Sequence, residues 1–152
     1  MEIKESLTEQ FLALNAEQRR SVHFALCEHA VEKWNLYAKT QKKIEYIETV
    51  TSTRQKVDKL LPFDAFSSTM QGLDSSNVAE RYLEPIVALQ DADLILPENI
   101  TFAYYAIYHL FKKYVKKELI DDWLIVNQAL ATEEDSEVWK TLLNDAIQRA
   151  KS

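Results

Sequence analysis

Glycine is almost missing from this chain: Gly72 stands alone in 152 residues, and proline occurs three times. Neither Asn-Gly nor Asp-Gly occurs anywhere. Tight hairpins lean on those dipeptides, because their two-residue turns need left-handed backbone. Phosphate-cradling loops are excluded, since both the dinucleotide and P-loop fingerprints require several glycines. A Gly-x-Ser-x-Gly nucleophile elbow is absent for the same reason. Cys27 is the sole cysteine, so no intramolecular disulfide can form. The longest uncharged run after residue 90 spans 99–111, well short of the ~20 apolar residues of a membrane span. The start, Met-Glu-Ile-Lys-Glu-Ser, has neither a basic n-region nor an apolar h-region. These absences predict a cytoplasmic chain with no membrane partner.

Positive charge is scarce too, but only locally. Residues 1–63 hold 10 Lys/Arg against 9 Asp/Glu. From 64 to 111 there are seven acids and one base, Arg81. Lys112, Lys113, Lys116 and Lys117 follow, and then 118–139 adds seven acids and no base. The formal charge of −6 therefore belongs to the second half. Such a field repels phosphate and favours a basic partner.

What is present is core material. An apolar fraction of 47%, with three Trp, seven Tyr and six Phe, excludes general disorder. The length suits one domain, 1–152, with a possible subdivision at 67–77, the loop-like cluster holding Gly72. Apolar spacing predicts an all-α bundle of six to seven helices. The first covers 3–14. Asn15 with Gln18 forms a capping box that opens a second helix over 16–39. Its apolar residues Val22, Phe24, Leu26, Cys27, Ala30, Val31, Trp34, Tyr37 and Ala38 span an arc of about 200°, which requires at least two partner helices.

A third helix is expected over 42–61, ending before Pro62, with a local break at 49–53. A fourth covers 78–89 and is kinked or restarted by Pro85. The helix at about 98–117 is apolar nearly all round and is expected at the centre of the bundle. Its last turn is lysine-rich, which complements the helix dipole. An element at 120–130 follows, and Thr132 with Asp135 is expected to cap a final helix.

Candidate chemistry is thin. His23 and Cys27 lie four apart on one face, a spacing seen in zinc ligands, but no further Cys or His–His pair completes a four-ligand site. The better reading is a hydrogen-bonded core histidine beside a buried thiol. No Glu-x-x-His serves a di-metal bundle, and no acid cluster has the glycine of a calcium loop. Bases at 33–59 interleave with Trp34, Tyr37 and Tyr46, yet Glu32, Glu45, Glu48 and Asp58 dilute them. The chain is therefore expected to be no enzyme and to use no cofactor, metal or nucleic acid.

The run Leu12-Ala13-Leu14-Asn15-Ala16-Glu17-Gln18, then Phe24-Ala25-Leu26-Cys27-Glu28 with Trp34 and Tyr37, resembles the opening of small all-α bacterial immunity proteins. These belong to polymorphic and contact-dependent toxin systems. The resemblance covers about 30 residues and implies a protein that binds and blocks one cognate toxin. Toxins that attack nucleic acid are usually basic because they contact phosphates, so the expected partner is the basic C-terminal domain of a nuclease-like toxin. The acids themselves define the expected contact surface: Asp64, Asp74, Glu80, Glu84, Asp91, Asp93, Glu98, Glu118, Asp121, Asp122, Glu134 and Glu137. The alternative is a helical adaptor or regulatory subunit that docks through Phe102, Tyr104, Tyr105 and Tyr108.

Overall fold

A computed structural model of the chain describes residues 3–48, 53–56, 59–72 and 96–152. Among them are helices α1 (Ile3–Leu12), α2 (Ala16–Thr40), α3 (Leu61–Gln71), α4 (Glu98–Tyr114), α5 (Asp122–Leu130) and α6 (Ser136–Lys151). The architecture is an all-α bundle carrying one small ribbon, β1 (Glu45–Glu48) paired with β2 (Thr53–Lys56). Residues 73–95, including the expected helix at 78–89 and Pro85, lie outside the described residues.

Helix α2 is set by its first four residues. The Asn15 side chain accepts the Gln18 amide at 2.8 Å, and the Gln18 side chain accepts the Asn15 amide at 3.0 Å. Two amides that would be left unbonded at a helix start are thereby satisfied. From that cap α2 runs 25 residues, about 37 Å. It buries Val22, His23, Leu26, Cys27, Ala30, Val31, Trp34 and Ala38, most of the broad arc read from the sequence, with Phe24 and Tyr37 half-buried at its edges. Around it pack α3, α4, α5 and α6, while α1 leans on α6. Helix α4 buries Ala103, Tyr104, Ala106, Ile107, Leu110 and Phe111 against this hub. The centre is thus shared by α2 and α4. Phe102, Tyr105 and Tyr108 on the far side of α4 stay half-buried.

Trp34 is the largest side chain with no exposure. Its indole Nε1–H donates to the Lys59 carbonyl at 2.8 Å, and its ring lies tilted 5.1 Å from Tyr104. One residue thus ties α2 to α4 and to the segment leading into α3.

The expected helix at 42–61 does not form. Glu45 pairs antiparallel with Lys56 and Glu48 with Thr53. The i, i+3 spacing of Ile44, Ile47 and Val50 mimicked a helix, while Thr49, Val50, Thr51 and Thr53 are β-branched and disfavour one. The missing Asn-Gly was no obstacle, because four residues separate the innermost pair. Pro62 does not follow a helix but sits in the first turn of α3, where its lack of an amide hydrogen costs nothing. Ser67–Gln71, part of the expected loop, is the last half of α3, and Gly72 ends it in left-handed conformation at φ 72°.

Helix α4 closes without a glycine. Lys117 takes the left-handed conformation at φ 59°, and the Glu118 amide reaches back to the Lys112 carbonyl at 3.0 Å. The second capping box is also corrected. Thr132 is buried and its hydroxyl donates to the Ala129 carbonyl at 2.7 Å, so it finishes α5. Asp135 alone caps α6, accepting the Glu137 amide at 2.9 Å.

Two stability outcomes follow from this packing. Trp34→Ala is expected to cost about 3–5 kcal/mol and Trp34→Phe about 1–2 kcal/mol, the latter mostly for the orphaned Lys59 carbonyl. Lys117→Gly is expected to raise stability by up to about 1 kcal/mol by relieving left-handed backbone. Urea unfolding followed by circular dichroism reads all three variants.

Candidate functional site

The described acids between 98 and 137 fall into two groups at opposite ends of α5. Nine residues at 1.5 Å each put those ends about 13 Å apart.

At its start, Asp122 is held inside a network. Arg19 Nη1 lies 3.1 Å from Oδ2, and the Lys113 ammonium meets Oδ1 at 2.8 Å as an ion contact without hydrogen-bond alignment. Arg19 also donates through Nε to the Leu14 carbonyl at 3.1 Å and through Nη2 to that of Leu12, and its guanidinium lies 5.5 Å from the Phe11 ring centroid. Lys113 donates in addition to the Ile120 carbonyl at 3.1 Å. Burial pushes the Asp122 carboxyl up, but the cationic contacts from Lys113 and Arg19 outweigh it and hold it below the usual carboxylate range. Glu118 is bound by Lys112 at 2.8 Å.

His23 sits behind this network with no exposure. Its Nε2 is 2.8 Å from the Asp122 carbonyl, which can only accept, so Nε2 carries the proton. Nδ1 then accepts the Tyr114 hydroxyl at 2.6 Å. Burial drives the imidazole down to about 4 and the Tyr114 phenol upward. Cys27, one turn on, is fully buried with its sulfur 3.8 Å from the Ala106 carbonyl, and burial raises its thiol. Both groups are engaged in packing. Among the described residues no three His, Cys, Asp or Glu side chains are grouped to hold a metal ion.

The other end of α5 differs. Glu133 Oε1 takes His29 Nε2 and Lys33 Nζ, each at 2.7 Å. Burial raises this carboxyl, and the bonds from Lys33 and His29 more than reverse the effect. Asn99 Nδ2 reaches the Thr132 carbonyl at 3.4 Å, which places the first turn of α4 beside the α5–α6 loop. Glu98, Glu134, Asp135 and Glu137 are exposed around this junction. Glu98 and Glu134 make no ion pair among the described residues, and Glu137 has only Lys140 at 3.8 Å. Beneath them a notch of about 140 Å³ is lined by Trp123, Asn127, Leu130, Ala131, Glu133 and Trp139.

Of the twelve expected contact acids, Asp74, Glu80, Glu84, Asp91 and Asp93 lie outside the described residues. Asp64 is in the first turn of α3, on a different helix from both groups. Asp122 is neutralised within the fold, Glu118 is exposed but paired with Lys112, and Asp121 is exposed beside them. Glu98 opens α4 next to Asn99, which reaches the α5–α6 loop, and Glu134 and Glu137 lie in that loop and the first turn of α6. Sequence reasoning did not single out Glu133, Trp123 and Trp139 as a site. The one available signal was His29 and Lys33, four apart on a single helix face. Of the alternative aromatic surface, Tyr104 is fully buried against Trp34, while Phe102, Tyr105 and Tyr108 are half-buried.

The low His23 value sets a pH dependence. The folded state holds the ring neutral down to about pH 4, while an unfolded histidine protonates near 6.5. The unfolded state therefore binds the extra proton between those values, and stability falls as pH drops from about 6.5 to 4, by on the order of 3 kcal/mol. His109, also pulled down by burial, adds to this limb. His23→Gln is expected to flatten the limb without abolishing it, as read by urea titrations at pH 7.5, 6 and 4.5.

No protein-family model, no curated protein and no solved structure matches this chain.

Proposed function

We propose that this chain is an immunity-type binding protein, which neutralises a basic, nuclease-like toxin domain by docking it on the junction of the α4 start, the α5–α6 loop and the first turn of α6. One observation carries the reading. Glu98 and Glu134 are exposed and unpaired among the described residues at this junction, whereas Asp122 is held by Arg19 and Lys113 and the exposed Glu118 is paired with Lys112. A fold that pairs most of its acids at one end and leaves most of them bare at the other presents a directed negative field. Such a field speeds encounter with a basic partner, and inhibition then needs only a preformed surface.

A second reading, a helical adaptor, draws on a different face. Leu36, Leu60, Phe63 and Met70 are all about half or more exposed along α2 and α3. Association through that face would be nearly indifferent to salt.

Coexpression with the product of the adjoining reading frame separates the two. Growth arrest by that product is expected to be relieved by this chain. The affinity of the purified pair is expected to fall steeply between about 50 and 300 mM salt. Combined Glu98→Lys, Glu134→Lys and Glu137→Lys is expected to weaken it about ten-fold or more, and Asp121→Lys far less. Unrelieved arrest, or an affinity indifferent to salt and to the three reversals, overturns the inhibitor reading.

A further inference from the structure

Resting on that acidic junction, we propose that the notch between Trp123 and Trp139 is an anchor site for a single arginine side chain of the basic partner. Size comes first. At about 140 Å³ the notch has room for four or five waters, well below the roughly 300–1,000 Å³ of a cofactor pocket. It suits one side-chain head.

Its walls select a flat cation. Two indoles line it, a ring system whose π face attracts positive charge, and Glu133 and Asn127 are the polar members of its lining. Both cations already on Glu133 sit on Oε1, so Oε2 takes part in neither contact. Those two contacts also hold the carboxylate in place before a ligand arrives, which lowers the ordering cost of binding. The surroundings agree: Glu133, Glu134, Asp135 and Glu137 lie within the loop and first turn, against Lys33 and Lys140. The Trp139 ring already draws a cation within the protein, since the Lys140 ammonium rests 5.9 Å from it. Lys140 is held otherwise only by Glu137 at 3.8 Å, a contact loose enough to yield.

Arginine fits better than lysine. Its guanidinium is planar, stacks on aromatic faces, is weakly hydrated and presents a fork of donors to carboxylate and amide oxygens together. A phosphate or acidic peptide meets four carboxylates against the Lys33 and Lys140 ammonium groups, an unfavourable balance of sign.

The test needs no toxin. Capped Gly-Arg-Gly is titrated into the full chain while the tryptophan indole N–H signals are followed by NMR, with capped Gly-citrulline-Gly as the neutral isostere. Saturable shifts at Trp123 and Trp139 are expected with arginine, with binding on the order of millimolar. Citrulline is expected to bind about five-fold or more weakly. Trp34, buried and bonded to Lys59, serves as the unmoving signal and as the check on folding. Trp139→Leu is expected to abolish the arginine response with the Trp34 signal intact, and Lys140→Gln to strengthen it. Equal response to citrulline, no saturation by about 50 mM peptide, or normal binding by a folded Trp139→Leu overturns the proposal. If arginine binds while coexpression fails to relieve arrest, the toxin reading falls and the anchor stands. If salt-sensitive docking persists without any arginine response, the anchor alone falls.

Discussion

An imidazole buried between helices is destabilising unless both ring nitrogens find partners. His23 meets that demand with two bonds, one to the Tyr114 hydroxyl on α4 and one to the Asp122 backbone carbonyl at the head of α5. Those partners fix the spacing of three helices at one point. The Asp122 side chain then does for α1 what its backbone does for α2. It receives Arg19, whose other donors cap the carbonyls of Leu12 and Leu14 at the end of α1. Hydrophobic burial brings these helices together, but it is non-directional. The polar brace selects one register among the apolar packings available, and it does so at the ends of α1, α4 and α5, where loops would otherwise leave the angles loose.

That brace also determines where charge is left over. Seven acids between 118 and 139 read as one continuous negative stretch in sequence. In space the brace draws Lys113 and Arg19 onto Asp122, and Lys112 folds onto Glu118. The lysine-rich end of α4 is the reason, since it must finish next to the start of α5. At the far end of α5 Lys33 and His29 are both spent on Glu133, and Lys140 reaches Glu137 only at 3.8 Å. The acids beyond it keep their charge. About 13 Å separates the two groups, more than a Debye length at physiological salt, so a partner meets them as separate patches.

Features governed by neighbours in sequence were legible before the fold was known. The capping box at Asn15 and Gln18, the buried arc of α2 and the core role of His23 all appear as read. Features governed by competition between weak local preferences were not. At 44–57 the apolar spacing suited a helix and the β-branched residues suited strands, and pairing with a second segment decided the matter. Pro62 marks a helix boundary under either reading, and only the tertiary fold says on which side the helix lies. Thr132 had the right spacing for a cap, yet burial turned its hydroxyl back onto α5. The ion pairs were the least legible of all: Arg19 and Asp122 are 103 positions apart, and nothing local to either residue announces the other. Net charge can be counted from a sequence. Surface charge can be assigned only after internal pairing has been subtracted.

The same subtraction clarifies how such a surface would divide its work. Carboxylates in water, held on loops and first turns, act at range: they raise the encounter rate with a basic molecule and are screened by salt. They add little to the lifetime of a complex, because exposed pairs are individually weak. Lifetime comes from a few well-packed anchors that exclude water, and aromatic walls beside a preorganised carboxylate are suited to that. Trp123 and Trp139 with Glu133 lie within one loop and its flanking helices, directly beside the unpaired acids. On the proposed reading, the acids would set how fast a basic partner arrives and the notch how long it stays. The two contributions would then respond differently to salt, since only the first depends on charges fully open to solvent.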